Sequence, residues 1–156
     1  MPANDSKFNP AAAPTFQLQR VFLKGVSLEM PQAPEIFIQQ GELQLNFQAD
    51  VSARELEPGV FCVNLRGTLT AELEKKVVYL LEIEQAGIFE VRNIPSDVLP
   101  QLLEIQAPSI LTSYLRANLS DVLTRATLPM FFLPEIDWAT IRAERAAAVP
   151  ASQLKH

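Results

Sequence analysis

The spacing of apolar residues changes once along this chain, at Pro95, and that change limits the fold more than any other feature. Before it, apolar side chains recur at every second position in long runs; after it, they recur at spacings of three and four. A period of two sends alternate side chains to opposite faces of a strand, whereas a period near 3.6 gathers them on one stripe of a helix. Strands first and helices afterwards specify an α+β layer arrangement, a four-stranded antiparallel sheet followed by helices packed on one face.

The first run covers Thr15 to Glu29, with Phe16, Leu18, Phe22, Val26 and Leu28 on one face and Gln17, Gln19, Gly25, Ser27 and Glu29 on the other. Arg20 and Lys24 interrupt it, which predicts a bulge or local twist near them, with Gly25 as a place for it. Pro31 and Pro34 end the strand, because neither has an N–H for the ladder. Leu43, Leu45, Phe47 and Ala49 then alternate with polar residues up to Asp50, and Ser52 to Gly59 reads as a turn. A third strand spans Val60 to Leu73, and Glu74-Lys75-Lys76 makes a hairpin connection. The fourth, Val77 to Val91, places Val77, Tyr79, Leu81, Ile83, Phe89 and Val91 on one side. Val78, Leu80, Glu82, Glu84, Ile88 and Glu90 fall on the other.

Past Pro95, Ser96 and Asp97 are suited to cap a helix that Pro108 must kink or break. Leu111, Leu115, Leu119, Val122 and Leu123 form an apolar stripe ending near Arg125. A last helix starts with Asp137 as N-cap and Ile136 stapled to Ile141, its Arg142, Glu144 and Arg145 turned to water. Residues 1–14, rich in Ala and Pro, read as a disordered arm, 15–148 as a single domain, and 149–156 as a flexible tail.

The chemistry of most enzymes finds no tools here. The only histidine is the last residue, His156, so there is no His-based general base and no His-rich metal site. The glycines are too scattered to cradle a phosphate. Neither catalytic residues nor a cofactor is expected, and the lone Cys62 reads as a buried structural thiol in a reducing compartment. No apolar run is long enough to insert in a bilayer, and the first 15 residues lack a signal segment. The net charge of −5 falls mainly between residues 29 and 104, which disfavours nucleic acid and favours a basic protein partner.

Two surfaces remain. Ile36, Phe37 and Ile38 follow Pro34, and Met130, Phe131, Phe132 and Leu133 lie between Pro129 and Pro134. Loops are usually polar, so both segments either close one end of the core or flank a channel for extended apolar peptide. The second surface is one side of the sheet, where Glu82 and Glu84 lie beside Val78 and Leu80, with Glu90 and Glu29 extending it. Acidic charge around a small apolar patch suits a compact basic module.

The segments FQLQRVFLKGVSLEMPQAPEIF, LRGTLTA, LLEIEQAGIFEV, APSILTSYLR and RATLPMFFLPEIDWATI resemble, in order across residues 16 to 142, the SecB family of export chaperones. The resemblance implies a cytoplasmic, ATP-independent holdase that binds unfolded preproteins and delivers them to the SecA motor ATPase. It implies a homotetramer built as a dimer of dimers, with no metal of its own. It implies a client groove at Ile36, Phe37, Ile38, Phe132, Leu133 and Trp138, and a face at Glu29, Leu80 and Glu82 for the zinc-bearing C-terminal tail of SecA. Gly25 and Gly41 stand where the family pattern leads one to expect an acidic and an aromatic residue. A SecB-like antitoxin chaperone and, from the residues alone, a small lipid or metabolite carrier are the alternative readings.

Overall fold

A computed structural model describes residues 8–148. Four strands, β1 (Thr15–Glu29), β2 (Gln44–Glu57), β3 (Val60–Leu73) and β4 (Lys76–Arg92), form one antiparallel sheet in the order β1-β4-β3-β2. Two tight hairpins, β2–β3 and β3–β4, join neighbouring strands, and a long crossover after β1 carries the chain to the opposite edge. The helical half follows as α1 (Leu99–Gln101), a π-helical turn (Leu102–Gln106), α2 (Ala107–Arg125) and, after an extended segment, α3 (Trp138–Ala148). The segregated α+β plan expected from the spacing of apolar residues is the plan observed.

Two bulges in β1 resolve the problem posed by Arg20 and Lys24. The register with β4 shifts between Leu18 and Arg20 and again between Leu23 and Gly25. Each extra residue reverses the phase of alternation, so Arg20, opposite Ile88, moves to the outer face and Lys24 drops out of the ladder. Phe22 moves with Arg20. Opposite Ala86, it lies on the outer face, not with Phe16 and Leu18, while Val21 takes its place toward the core.

A third bulge, between Ala71 and Glu72, leaves Val78 without a partner on β3. Val77 therefore turns outward, and Val78 turns into the core at 1% exposure. Beyond Asp50, β2 continues to Glu57, because pairing with β3 overrides the polar, loop-like composition of its last residues. The turn itself is only Pro58-Gly59, with Gly59 at φ 78°.

Helix α2 lies across β3 and β4. Its Leu111, Leu115, Leu119 and Leu123 are fully buried, each contributing about 2 kcal/mol of apolar transfer. The close approach is set by two glycines: a Cβ on Gly87 would come within 2.9 Å of Leu111, and one on Gly67 within 3.0 Å of Leu115.

Pro108 does not break the helix. Lacking an N–H, it sits at the start of α2 directly after the π turn, where Ala107 N–H donates to Leu102 O. Ser109 and Thr112 hydroxyls donate back to the carbonyls of Ile105 and Pro108, at 2.6 and 2.7 Å. Ser96 and Asp97 make no capping bond, since α1 begins at Leu99 behind Val98.

In α3 the expected N-cap is present. Asp137 accepts from Thr140 N–H at 3.1 Å and from the Thr140 hydroxyl at 2.7 Å, and these bonds hold its carboxyl below the usual carboxylate range. Ile136 and Ile141 both pack against the core. Arg142 and Arg145, in contrast, are not free in solvent: Arg142 pairs with Glu104 and Arg145 with Asp50.

The first seven residues of the N-terminal arm and the tail 149–156 lie outside the described residues. Within the described residues the arm is tied to the sheet, with Asn9 N–H donating to Asn93 Oδ1 at 2.7 Å and the Asn93 amide to Ala12 O.

Candidate functional sites

The apolar loop segments divide residue by residue into core and surface. After β1, the crossover makes one 3-10 turn over Glu35–Ile38. Ile36 packs against the core, whereas Phe37 is half exposed and Ile38 is 86% exposed. Between α2 and α3 the chain is extended and alternates: Met130 out, Phe131 in, Phe132 out at 82% exposure, Leu133 in. Phe131 meets Phe47 of β2 with ring centroids 5.8 Å apart.

Leu133 and Trp138 are therefore corrected from groove walls to core residues. Trp138 is only 2% exposed, and its indole N–H donates to Thr112 Oγ1 at 3.1 Å. A buried indole needs one acceptor, and Thr112 supplies it while its own O–H donates a hydrogen bond to Pro108 O. Trp138 still reaches a cavity of about 440 Å³, which Val51, Glu104, Ile141 and Arg145 also line.

Two residues of β2 belong to the apolar surface although nothing in the loop composition pointed to them. Phe47 packs its ring at a tilt against Phe131, and Leu45, two residues along the same face, is exposed. Their alternation reads as an ordinary core face; only the position of β2 at the sheet edge, past the cover of α2, leaves that face open. The signal that could have found them is the same alternation combined with the strand order.

The outer face of the sheet brings together four of the five residues expected there. Glu29 lies directly opposite Leu80, Ser27 opposite Glu82 and Gly25 opposite Glu84. Val78 is not among them, because the bulge beside it turns its side chain into the core.

The acidic charges are not equivalent. Glu84 is ion-paired with Arg66, its direct partner on β3, a bond that lowers its carboxyl pKa and raises that of the guanidinium. Glu90 likewise accepts from Arg92 at 2.6 Å and from Gln19 at 2.8 Å. Glu29, directly opposite Leu80, and Glu82, two residues along from it, join no ion pair among the described residues. Gly25 leaves the space opposite Glu84 open.

A third exposed surface was not anticipated. Leu23 and Val26 of β1 pair with Gln85 and Ile83, which puts them on the helix side of the sheet, yet both remain exposed because α2 covers β4 and β3 instead. Ile110 and Tyr114, one turn apart on α2, are exposed as well. The edge of β1 beside them has no strand partner.

Among the described residues no group of His, Cys, Asp and Glu is placed to hold a metal ion, and no helix is long and apolar enough to cross a membrane.

Comparison with known proteins gives one consistent result. Residues 9–148 match the family model described as preprotein translocase subunit SecB. A protein-export protein SecB of Burkholderia multivorans is 43% identical over 140 residues, covering 90% of this chain and 88% of the relative. That of Ralstonia pickettii is 41% identical, covering 90% and 81%. Among solved structures, a Mycobacterium tuberculosis SecB-like chaperone in complex with a ChAD peptide from an antitoxin superposes with a TM-score of 0.64. It is 19% identical and covers 78% of this chain and 91% of its own, so the likeness is one of fold.

Proposed function

Because this chain belongs to the SecB family of preprotein translocase subunits, we propose that it is a chaperone for protein export, which holds unfolded preproteins and passes them to the SecA motor. The observation that carries the holding step is the exposure of Phe37, Ile38, Leu45, Met130 and Phe132. Large apolar side chains in an aqueous surface cost free energy unless a partner covers them. Their neighbours Ile36, Phe47 and Phe131 pack against the core, and Phe47 meets Phe131.

Clients are released by affinity and handover in this reading, without ATP, and no reaction is catalysed. The site of action is the cytoplasm, where preproteins await export, and residues 15–148 act as one chaperone domain. Handover uses the outer sheet face, where Glu29 and Glu82 lie near Leu80 and would meet the basic, zinc-bearing tail of SecA. The exposed Leu23, Val26, Ile110 and Tyr114 beside the unpaired edge of β1 support assembly into a dimer of dimers. The curated relatives are export proteins, which favours export over the service of a toxin-antitoxin module.

The test is binding to a chemically unfolded preprotein, measured with wild type and with Phe37→Asp and Phe132→Asp. Each variant is expected to weaken binding at least tenfold, Phe132→Asp at unchanged thermal stability because its ring is already in water and Phe37→Asp at a small cost because half of its ring is covered. Undiminished binding by both would refute the groove.

A further inference from the structure

Of the two methionines among the described residues, Met30 packs against the core and Met130 is 49% exposed. The exposure of Met130 is imposed by its neighbours. Leu128 and Leu133 are buried and Phe131 packs against Phe47, so the segment is pinned to the core at three points. An extended backbone sends alternate side chains to opposite sides, and with Phe131 and Leu133 turned in, Met130 and Phe132 are held out. Pro129 and Pro134 bracket the stretch and keep it from winding into a helix that would redistribute these side chains. The thioether therefore stands in water among the exposed apolar side chains, and it cannot withdraw without drawing a packed neighbour out.

The sulfur also has a polar neighbour. Thr124 Oγ1, whose O–H donates to Ser120 O at 2.8 Å, lies 4.0 Å from Met130 Sδ. A thioether is a weak acceptor, so the hydroxyl proton stays with Ser120 O while the sulfur is reduced. An oxygen added to that sulfur is a strong acceptor beside the same hydroxyl. Oxidation therefore favours turning the Met130 side chain toward α2 and off the apolar surface.

We infer that Met130 is an oxidative modification site, and that its conversion to the sulfoxide by hydrogen peroxide lowers the affinity for unfolded clients. This rests on the client-holding role proposed above and adds a control of the same surface. In the reaction the sulfur lone pair attacks one peroxide oxygen, an S–O bond forms, the O–O bond breaks, and the other oxygen leaves as water. A dithiol reverses it: the oxygen leaves as water and the two thiols become a disulfide. The reduced side chain is flexible and polarizable and adapts to varied apolar clients. The sulfoxide binds water, which a covering client must strip away without replacing its hydrogen bonds. Phe37, Ile38, Leu45 and Phe132 do not react with peroxide, so affinity falls without vanishing.

The experiment treats the full chain with dilute hydrogen peroxide, removes the peroxide, and maps the added oxygen by peptide mass spectrometry. Affinity for reduced, carboxymethylated lactalbumin is measured before and after. Met130 of the wild type is expected to oxidise about tenfold faster than Met30, and affinity to fall about three- to tenfold. Methionine sulfoxide reductase with a dithiol is expected to restore it. Met130→Leu, compared only with itself before treatment, is expected to keep its affinity, although peroxide reaches Cys62 in both proteins. Equal losses in the two proteins overturn the proposal, as does unchanged affinity of wild type fully oxidised at Met130. Oxidation of Met30 ahead of Met130 also overturns it. If Met130→Leu misfolds, recovery of the wild type under the reductase decides in its place. Absence of any complex before treatment overturns the client-holding role itself, whereas a complex indifferent to oxidation leaves that role intact.

Discussion

At the scale of single residues, the buried polar groups carry more information than the apolar ones. Gln85 lies on the core face of β4 at 1% exposure, where its amide donates to Phe22 O at 3.0 Å and its carbonyl accepts from Asn118 of α2 at 2.5 Å. It spans from the bulged stretch of β1 to the helix and satisfies a carbonyl inside a region of irregular register. Gln85→Leu leaves both partners unpaired and is expected to cost about 1–3 kcal/mol in urea unfolding. Asp137 offers a pH signature. Its carboxyl is held below the ordinary range by Thr140, so its contribution to α3 is present above the unfolded-state pKa and is lost as pH falls through the lowered folded value. Trp138, the first residue of α3, reports this directly: its fluorescence is expected to change in an acid transition that Asp137→Ala shifts or abolishes. Of these roles the chain shows that of Asp137 as a cap, but not that of Gln85. An alternating strand shows Gln85 as a polar interruption, and nothing local says which carbonyl it will meet.

At the scale of elements, the hairpins and bulges separate what is local from what is not. The β3–β4 turn places Glu74 and Lys75 at φ 50° and 69°, the left-handed geometry of a two-residue hairpin, in which side chains other than Asn and Gly are strained. Replacing the pair by Asn-Gly is therefore expected to stabilise the protein by about 1–2 kcal/mol, read as a raised urea midpoint. Gly87→Val, where α2 crosses the sheet, is expected to cost about 1–3 kcal/mol by driving Leu111 away. The existence, order and type of all four strands and of the two longer helices were legible in the spacing of apolar residues. The phase of β1 between its bulges and the inward turn of Val78 were not, because a single inserted residue reverses every following side chain. The π turn before Pro108 was equally hidden. A proline announces a missing donor, but whether the helix breaks or regroups its bonds depends on the packing of Leu103, Ala107 and Leu111 on the sheet.

At the scale of the whole molecule, three surfaces lie on different parts of the sheet: the apolar surface at the β2 edge, the acidic outer face, and the uncovered strip along β1 and α2. Leu23→Asp and Tyr114→Asp are expected to lower the molar mass measured by light scattering below that of a tetramer without loss of β-sheet signal. A mass unchanged by both would exclude that strip from the interface. On the outer face, Glu82→Lys is expected to weaken binding of a SecA tail peptide more than Glu84→Lys, since Arg66 already neutralises Glu84.

By itself the chain determined its layers, its strand boundaries to within a few residues for β1, β3 and β4, the leucine stripe of α2, the N-cap of α3 and its family. These depend on periodicity, capping and turn chemistry, which act over a handful of neighbouring residues. Only the tertiary structure decided which apolar loop residues are core and which are surface. Leu133 and Trp138 sank into the core, Phe132 stayed out, and Leu45 and Phe47 joined the groove because their strand ended at the edge of the sheet. Exposure is set by what lies across from a side chain, and that partner is fixed by strand order and helix placement, which bring together residues far apart in sequence.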